Sequence, residues 1–300
     1  MHPLIPVTKT RPLPPSLRLS SPAKINLFLN VLFKRKDGYH EIETLFERIS
    51  LSDELTLVSS RSGIKIISDS KKLPKGPDNL AYRAAKLLKD RFGIEKGILI
   101  KSKKRIPIAA GLGGGSSNAA SVLLGLNRLW RLGLSKGELL RAAAKLGSDV
   151  PFFILETPFA LGRGRGVILR KIKPPGKKIW HCLVKPPFSI STKAAYQRLK
   201  TTRLTLKKAD VRMLFHSIHK GDSKSLSKLL TNSLEGILNK RVMEIFKIKK
   251  ELMRRGALGC LLSGSGPTVF GIFSSQETAS RAARFLRKNK RWQVFVASTL

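Results

Sequence analysis

The stretch "PIAAGLGGGSSNAAS", residues 107–121, carries the densest chemistry-bearing pattern in the chain. Four glycines lie within Gly111–Gly115, two serines follow, and alanines then begin a helical spacing. Such glycine density costs backbone entropy on folding. In return, bare N–H groups can approach an anion beside a helix N-terminus, which adds partial positive charge and unpaired donors. Ser116 and Ser117 can add hydroxyls toward phosphate or a bound Mg²⁺. Two well-known phosphate loops do not fit. No lysine follows the glycines, as a Walker A loop requires, and the last position of a G-x-G-x-x-G fingerprint falls on Ser116 or Asn118. The plain alternative is a flexible strand–helix connection with a serine cap.

Further candidates lie on both sides of the loop. "SPAKINLFLNV" (21–31) alternates: Ala23, Ile25, Leu27, Leu29 and Val31 share one face, and Lys24, Asn26, Phe28 and Asn30 the other. Lys24 and Asn26 can thus point into a cleft, although by residue type alone Lys24 reads as a solvated lysine. Asp149, after Gly147-Ser148 and before Val150-Pro151, reads alone as a helix N-cap. Tyr39 and His40 follow a turn at Gly38; the ring can stack on a base and the imidazole can pair with a pyrimidine edge, or the aromatic can simply cover the core. Lys103, Lys104 and Arg105 can draw in a nucleotide electrostatically but read more simply as a solvated strand end. His2, His181, His216 and His219 show no metal spacing and read as structural or surface residues.

The elements that must position these groups follow from period and punctuation. Strands are expected at 21–31, through "EIETLFERISLSDELTLV", at "GIKIIS" and at "GILIKSKKRIP". A helix capped by Asp78 or Asn79 stops at Gly93, and the helix after the glycines begins at Ser116–Asn118. Ser135 and Glu138 form a capping box for a helix that Gly147 closes. A glycine- and arginine-rich stretch at 161–172 precedes a Pro-Pro-Gly break. Beyond it come the strand "KIWHCLVKP", helices near 192–200, 208–219, 222–231 and 241–255, a glycine-broken strand pair in "GALGCLLSGSGPTVFGIF", the helix "QETASRAARFLRK" and the strand "WQVFVAST". Strands and helices mixed within each half indicate two α+β domains, 17–165 and 166–300, with 1–16 as a flexible lead.

Five segments in order, "PAKINLFL", "DGYHEIETLF", "AGLGGGSSNAA", "LGSDVPFF" and "SGSGPTVF", resemble the motifs of the GHMP kinases. That family includes galactokinase, homoserine kinase and mevalonate kinase. The continuation "KRKDGYHEIETLFERISLSDEL" is similar to the branch acting on 4-diphosphocytidyl-2-C-methyl-D-erythritol. It lacks the glutamate-histidine pair of mevalonate kinases and the alanine-rich version of homoserine kinases.

The resemblance implies ATP-dependent phosphorylation of the 2-hydroxyl of that substrate, in the non-mevalonate route to isopentenyl diphosphate. It implies a ribosomal-S5-domain-2-like N-terminal domain, a ferredoxin-like C-terminal domain and a site between them. ATP and Mg²⁺ are the implied cofactors, with no metal ligand identifiable. Pro107, Ile108, Ala109, Ala110, Gly111 and Leu112, continuing through Gly113, Gly114, Gly115, Ser116 and Ser117, would wrap the ATP phosphates. Ser263, Gly264, Ser265 and Gly266 would form a second glycine loop near them. Lys24 and Asp149 match the catalytic pair: the aspartate accepts the hydroxyl proton while the lysine steadies the reacting oxygen and incoming phosphoryl charge. Asn26, Tyr39, His40, Thr192 and Tyr196 match substrate contacts, with Tyr196 as the wall facing Tyr39 across the cytidine.

Composition bounds the partners. A net charge of +39 suggests nucleic acid or another anion, but the cations spread from Lys9 to Arg291 with no RNP-like aromatics, Cys/His finger or Arg-rich tract. A generally basic proteome accounts for this, an RNA-associated protein of S5-like fold is the sharper alternative, and a phosphate-bearing substrate suits both. The charge exceeds what the reaction requires. No apolar run nears the ~20 residues of a membrane span. Residues 1–20 hold five prolines and no secretory h-region. Cys182 and Cys260 match no metal or disulfide framework. The expectation is a cytoplasmic enzyme, monomer or homodimer, with a small-molecule substrate and neither membrane nor nucleic acid as partner.

Overall fold

The computed structural model describes residues 16–173, 176–199, 210–237 and 242–300. The lead expected to be flexible lies, apart from Ser16, outside the described residues. Ser16 already opens the first strand.

The first sheet is organised around one long strand. β1 (Ser16–Lys34) pairs antiparallel with β2 (His40–Ser60) along almost its whole length. The C-terminal half of β2 also holds β4 (Gly97–Lys103), which pairs in parallel with β3 (Ile64–Ser68). Its N-terminal half holds β5 (Phe159–Arg163), which continues as a hairpin into β6 (Ile168–Ile172). Helices α1 (Leu80–Arg91), α2 (Gly114–Leu129), α3 (Lys136–Leu146) and the short α4 (Val150–Ile154) pack on this sheet around one apolar cluster. Their ends follow the expected punctuation. Asn79 caps α1 by accepting from Ala81 N at 2.9 Å, and Ser135 with Glu138 closes the capping box of α3. Gly125 lets α2 approach β1 and β2, since a Cβ there would lie 2.5 Å from Leu57 Cδ1.

The second sheet contains β7 (Trp180–Lys185), β8 (Gly259–Leu262), β9 (Val269–Phe273) and β10 (Gln293–Ser298), in the order β10-β7-β9-β8. All its pairs are antiparallel. Helices α8 (Val242–Arg254) and α9 (Gln276–Leu286) cover one face. With β7, these elements run β-α-β-β-α-β, the ferredoxin-like arrangement expected. Between β7 and α8 lie α5 (Thr192–Arg198), α6 (Val211–Lys220) and α7 (Ser223–Leu229). Leu183, Leu261, Phe270 and Ile272 on the opposite face of this sheet join Ile25, Leu27, Leu45 and Ile49 in a single cluster. One core therefore runs through both halves. Among the described residues, no helix is long and apolar enough to cross a membrane.

Three expectations are corrected. The division at 165/166 falls inside the β5–β6 hairpin, where five residue pairs tie β6 to the first sheet. The passage between sheets lies between Ile172 and Trp180. Helix α2 begins at Gly114 rather than at Ser116–Asn118, because Gly113 takes the cap with φ +67° and two further glycines enter the first turn. Phe28 does not share the face of Lys24 and Asn26: the register of β1 shifts between Asn26 and Phe28, and this bulge turns the ring into the core at 1 % exposure.

Candidate active site

Two cavities meet between the sheets. The first, about 450 Å³, is walled by the glycine loop, Lys24, Asn26 and the start of α1. The second, about 880 Å³, is walled by Tyr39, His40, Arg165 and α5. Ile42, Ser116, Asp149, Thr192 and Tyr196 line both. This seam is where a group held in one cavity can reach a group held in the other.

The loop is shaped by backbone alone. Every residue from Pro107 to Ser116 lines the first cavity. Ala109, Gly111 and Gly113 have positive φ, Ala109 at +52° despite its side chain, a form of local strain that tends to gather at ligand-binding loops. Gly111 has no substitute: a Cβ would lie 2.2 Å from the Ser263 carbonyl. The first turn of α2 then presents Gly114, Gly115 and Ser116 to the same space, which suits a phosphate. Ser117 is the exception, its hydroxyl fully buried and without a partner.

The second glycine loop closes over the first. Ser263 donates its hydroxyl to Gly111 O at 3.0 Å, and Thr268 N donates to Ala110 O at 3.3 Å. Gly264 and Ser265 reach the first cavity, whereas Ser263 and Gly266 support from behind. Ser265 and Thr192 share a hydroxyl–hydroxyl hydrogen bond of 2.9 Å, which links this loop to α5.

Lys24 is nearly buried, and its backbone N–H donates to Leu112 O at 3.0 Å, fixing β1 to the glycine loop. Its ammonium donates to Asn26 Oδ1 at 2.8 Å and lies 3.3 Å from Asp149 Oδ2. Asn26 Nδ2 in turn donates to Thr44 Oγ1 at 2.8 Å, so the amide cannot rotate freely. Asp149 sits at the N-cap position of α4 but makes no side-chain cap bond. Its carboxylate is committed to Lys24 and the cavity instead.

In the second cavity the His40 and Tyr196 rings lie 5.2 Å apart, tilted by 35°. The Tyr39 ring is half exposed, with the Arg165 guanidinium 5.0 Å from its centre. Burial, with the nearby Asp149 charge, holds the Tyr196 phenol well above its usual range. Burial, with Lys34, lowers His40 below the ordinary histidine value and keeps the imidazole neutral near pH 7.

Lys104 is the residue that spacing missed. It is not a solvated strand end: its ammonium is buried against Asp53 and lines the first cavity. Asp53 also accepts from Arg105 N at 2.8 Å and Ile106 N at 2.9 Å, which anchors the approach to the glycine loop. The readable signal was Asp53 itself, an acid within a buried strand. Lys103 and Arg105 are exposed as expected. His181 is structural, bonded to Glu47 at 2.9 Å in the core. Burial pushes the Cys182 thiol up to about 12 and Cys260 up to about 11, so neither offers a thiolate at neutral pH.

A glycine-lined cavity beside a lysine–aspartate pair, set between these two sheets, points to a class. Family models for the GHMP kinases N terminal domain and the GHMP kinases C terminal match residues 79–157 and 214–291. The chain belongs to the GHMP kinase family. Its relatives narrow the class. The 4-diphosphocytidyl-2-C-methyl-D-erythritol kinase of Pelotomaculum thermopropionicum is 45% identical over 279 residues, spanning 92% of this chain and 96% of the relative. That of Geobacillus kaustophilus is 43% identical over 273 residues, spanning 90% and 93%. A crystal structure of 4-(cytidine 5'-diphospho)-2C-methyl-D-erythritol kinase matches with a TM-score of 0.82 at 34% identity, covering 94% of this chain and 98% of that one.

Proposed function

We infer that the protein transfers the γ-phosphoryl group of ATP to the 2-hydroxyl of 4-diphosphocytidyl-2-C-methyl-D-erythritol. The products are the 2-phosphate and ADP, a step of the methylerythritol phosphate route to isopentenyl diphosphate. The observation that carries the mechanism is the position of Asp149, at the seam of both cavities and 3.3 Å from Lys24.

ATP occupies the first cavity with its phosphates on the backbone N–H groups from Gly111 to Ser116. The cytidyl end occupies the second, between Tyr39 and the His40–Tyr196 pair. The 2-hydroxyl then reaches Asp149, which accepts its proton as the oxygen attacks the γ-phosphorus and ADP leaves. Lys24 balances charge on the reacting oxygen and the transferred group. Alignment and electrostatics supply most of the acceleration, since little covalent chemistry falls to the protein.

Mg²⁺ suits this site as a guest of the phosphates. Among the described residues there is no group of three His, Cys, Asp or Glu side chains that could hold a metal. Mg²⁺ commonly binds through one or two protein oxygens plus substrate phosphates. The Ser116 hydroxyl lines the first cavity beside the glycines and can supply one. When bound, the ion would offset charge on the phosphates.

The deciding experiment is ADP release by the purified chain with Mg-ATP and the cytidyl substrate, beside free methylerythritol phosphate, homoserine and mevalonate. Release is expected only with the cytidyl substrate. Release with another alcohol would keep the kinase and discard the substrate.

A further inference from the structure

Residues 231–235, "TNSLE", follow α7 and carry none of the motifs that mark the site in the sequence. Their backbone is stitched to β1: Leu29 N donates to Thr231 O at 2.8 Å and Ser233 N to Leu29 O at 2.9 Å, making a parallel bridge between Leu29 and Asn232. Side chains reinforce the seam. Val31 N donates to Ser233 Oγ at 3.0 Å, and Thr231 Oγ1 to Asn30 Oδ1 at 3.2 Å. The segment is therefore fixed to the strand that carries Lys24.

From that base Asn232 reaches toward the second glycine loop. Its buried Nδ2 donates to Leu262 O at 2.9 Å and to Gly264 O at 2.8 Å, while its Oδ1 accepts from Leu234 N at 2.9 Å. Both donors and the acceptor of the carboxamide are engaged. Glu235 accepts from Leu262 N at 2.8 Å and pairs with Lys249 behind the loop. Gly264, with φ +56°, faces Lys24 and the ATP loop closely: a Cβ there would lie 3.3 Å from Asn26 Oδ1, 3.4 Å from Lys24 Nζ and 3.5 Å from Gly111 O.

The two glycines of this loop have no side chains to define their path, and the hydroxyls of Ser263 and Ser265 reach outward to Gly111 O and Thr192. Here one carboxamide anchored on β1 holds two of the carbonyls that set that path. We propose that Asn232 is a positioning residue for phosphoryl transfer, acting through Gly264 to fix the second glycine loop against Lys24 and the ATP loop. It touches neither reactant. This role rests on the phosphoryl-transfer reading above. It requires a donor at position 232, because two carbonyl oxygens face the same nitrogen.

The test compares wild type, Asn232→Asp, Asn232→Ser and Ser275→Ala in the full chain. Steady-state ADP release with Mg-ATP and the cytidyl substrate is measured together with thermal midpoints and ADP affinity. Asn232→Asp turns an acceptor toward two acceptors, and Asn232→Ser is too short to hold both the Leu262 and Gly264 carbonyls. Both should lower kcat about 100-fold, the scale on which a misplacement of about 1 Å acts. KM for the cytidyl substrate should move less than about threefold, since its cavity walls are untouched. Ser275→Ala removes the cap of α9 and should lower the midpoint without changing kcat. A folded Asn232 variant with wild-type kcat overturns the proposal, as does failure of both variants to fold, which would assign the residue to the fold alone. If the wild type releases no ADP, the reaction reading fails instead. Asn232 is then judged by ADP affinity, which both variants should weaken and which, unchanged, would overturn its role.

Discussion

The Lys24 ammonium stands 3.3 Å from the Asp149 carboxylate, one nearly buried and the other 34 % exposed, at the seam of the two cavities. The asymmetry suits their tasks. Lys24 keeps a fixed place through Asn26, while Asp149 lines both cavities, where the proposed reaction brings the alcohol. Asp149→Asn preserves shape but removes the proton acceptor, so kcat for ADP release should fall roughly 10²–10⁴-fold, the usual worth of general base catalysis. Binding of the cytidyl substrate by calorimetry should persist. A variant with near wild-type kcat would reduce Asp149 to a partner for Lys24.

Gly111 makes the second prediction. Its φ of +77° and the 2.2 Å approach of the Ser263 carbonyl leave no room for Gly111→Ala. The two glycine loops should part, costing about 1–3 kcal/mol of stability from the backbone conformation alone and raising KM for ATP. Gly115→Ala is the contrast: its Cβ would meet only Leu80 Cδ1, at 3.8 Å, and its thermal midpoint should not fall. Equal loss of stability in both variants would show that the approach to Ser263 is not the constraint.

What the sequence made legible was mostly local. Caps at Asn79 and Ser135, the strand leading to the glycines and the order of the second sheet's elements all follow from period and punctuation. The glycine loop stood out because such density of glycine costs backbone entropy, and the structure places it on the wall of the first cavity. Phe28 was misplaced because the register of β1 shifts between Asn26 and Phe28, and nothing in the residue string marks the slip. Lys104 and Asn232 were missed for a different reason. Each draws its meaning from a distant partner, Asp53 in one case and the Leu262 and Gly264 carbonyls in the other, and such pairings exist only once the chain is folded.

His40 gives the site a pH dependence with a definite sign. Burial first and Lys34 second lower its pKa, so it is neutral above the ordinary value of about 6.5. A depressed pKa means that the unfolded chain binds the proton more readily. The stability this contributes is present above the unfolded value and is lost as pH falls through the folded one. KM for the cytidyl substrate should stay flat from pH 8 down to about the ordinary histidine value and rise below it. Lys34→Met should move the His40 midpoint upward in NMR titration, yet not past the ordinary value, because burial is the larger cause. A downward shift would contradict the assignment. Tyr196→Ala should weaken the substrate by about 1–3 kcal/mol if the ring stacks on the base, whereas Tyr196→Phe should change little.

The last prediction concerns the core beneath the site. His181 Nε2 and Glu47 Oε1 share a hydrogen bond of 2.9 Å, and Thr299 Oγ1 donates to the same oxygen at 2.6 Å, which ties β7 and the chain's last residues to β2. Both members of the pair are fully buried, and Glu47 Oε2 and His181 Nδ1 have no hydrogen-bond partner. A pair of this kind is costly to break and less costly to replace. His181→Ala strands a buried carboxyl and should cost about 3 kcal/mol or more in urea unfolding. Glu47→Met combined with His181→Leu fills the same space without charge and should come within about 1 kcal/mol of wild type. Neither residue lines either of the two cavities of the site, so kcat for ADP release by the folded double variant should match wild type. A double variant as unstable as His181→Ala would mean that the polar contacts, rather than the packing around them, hold the two sheets together.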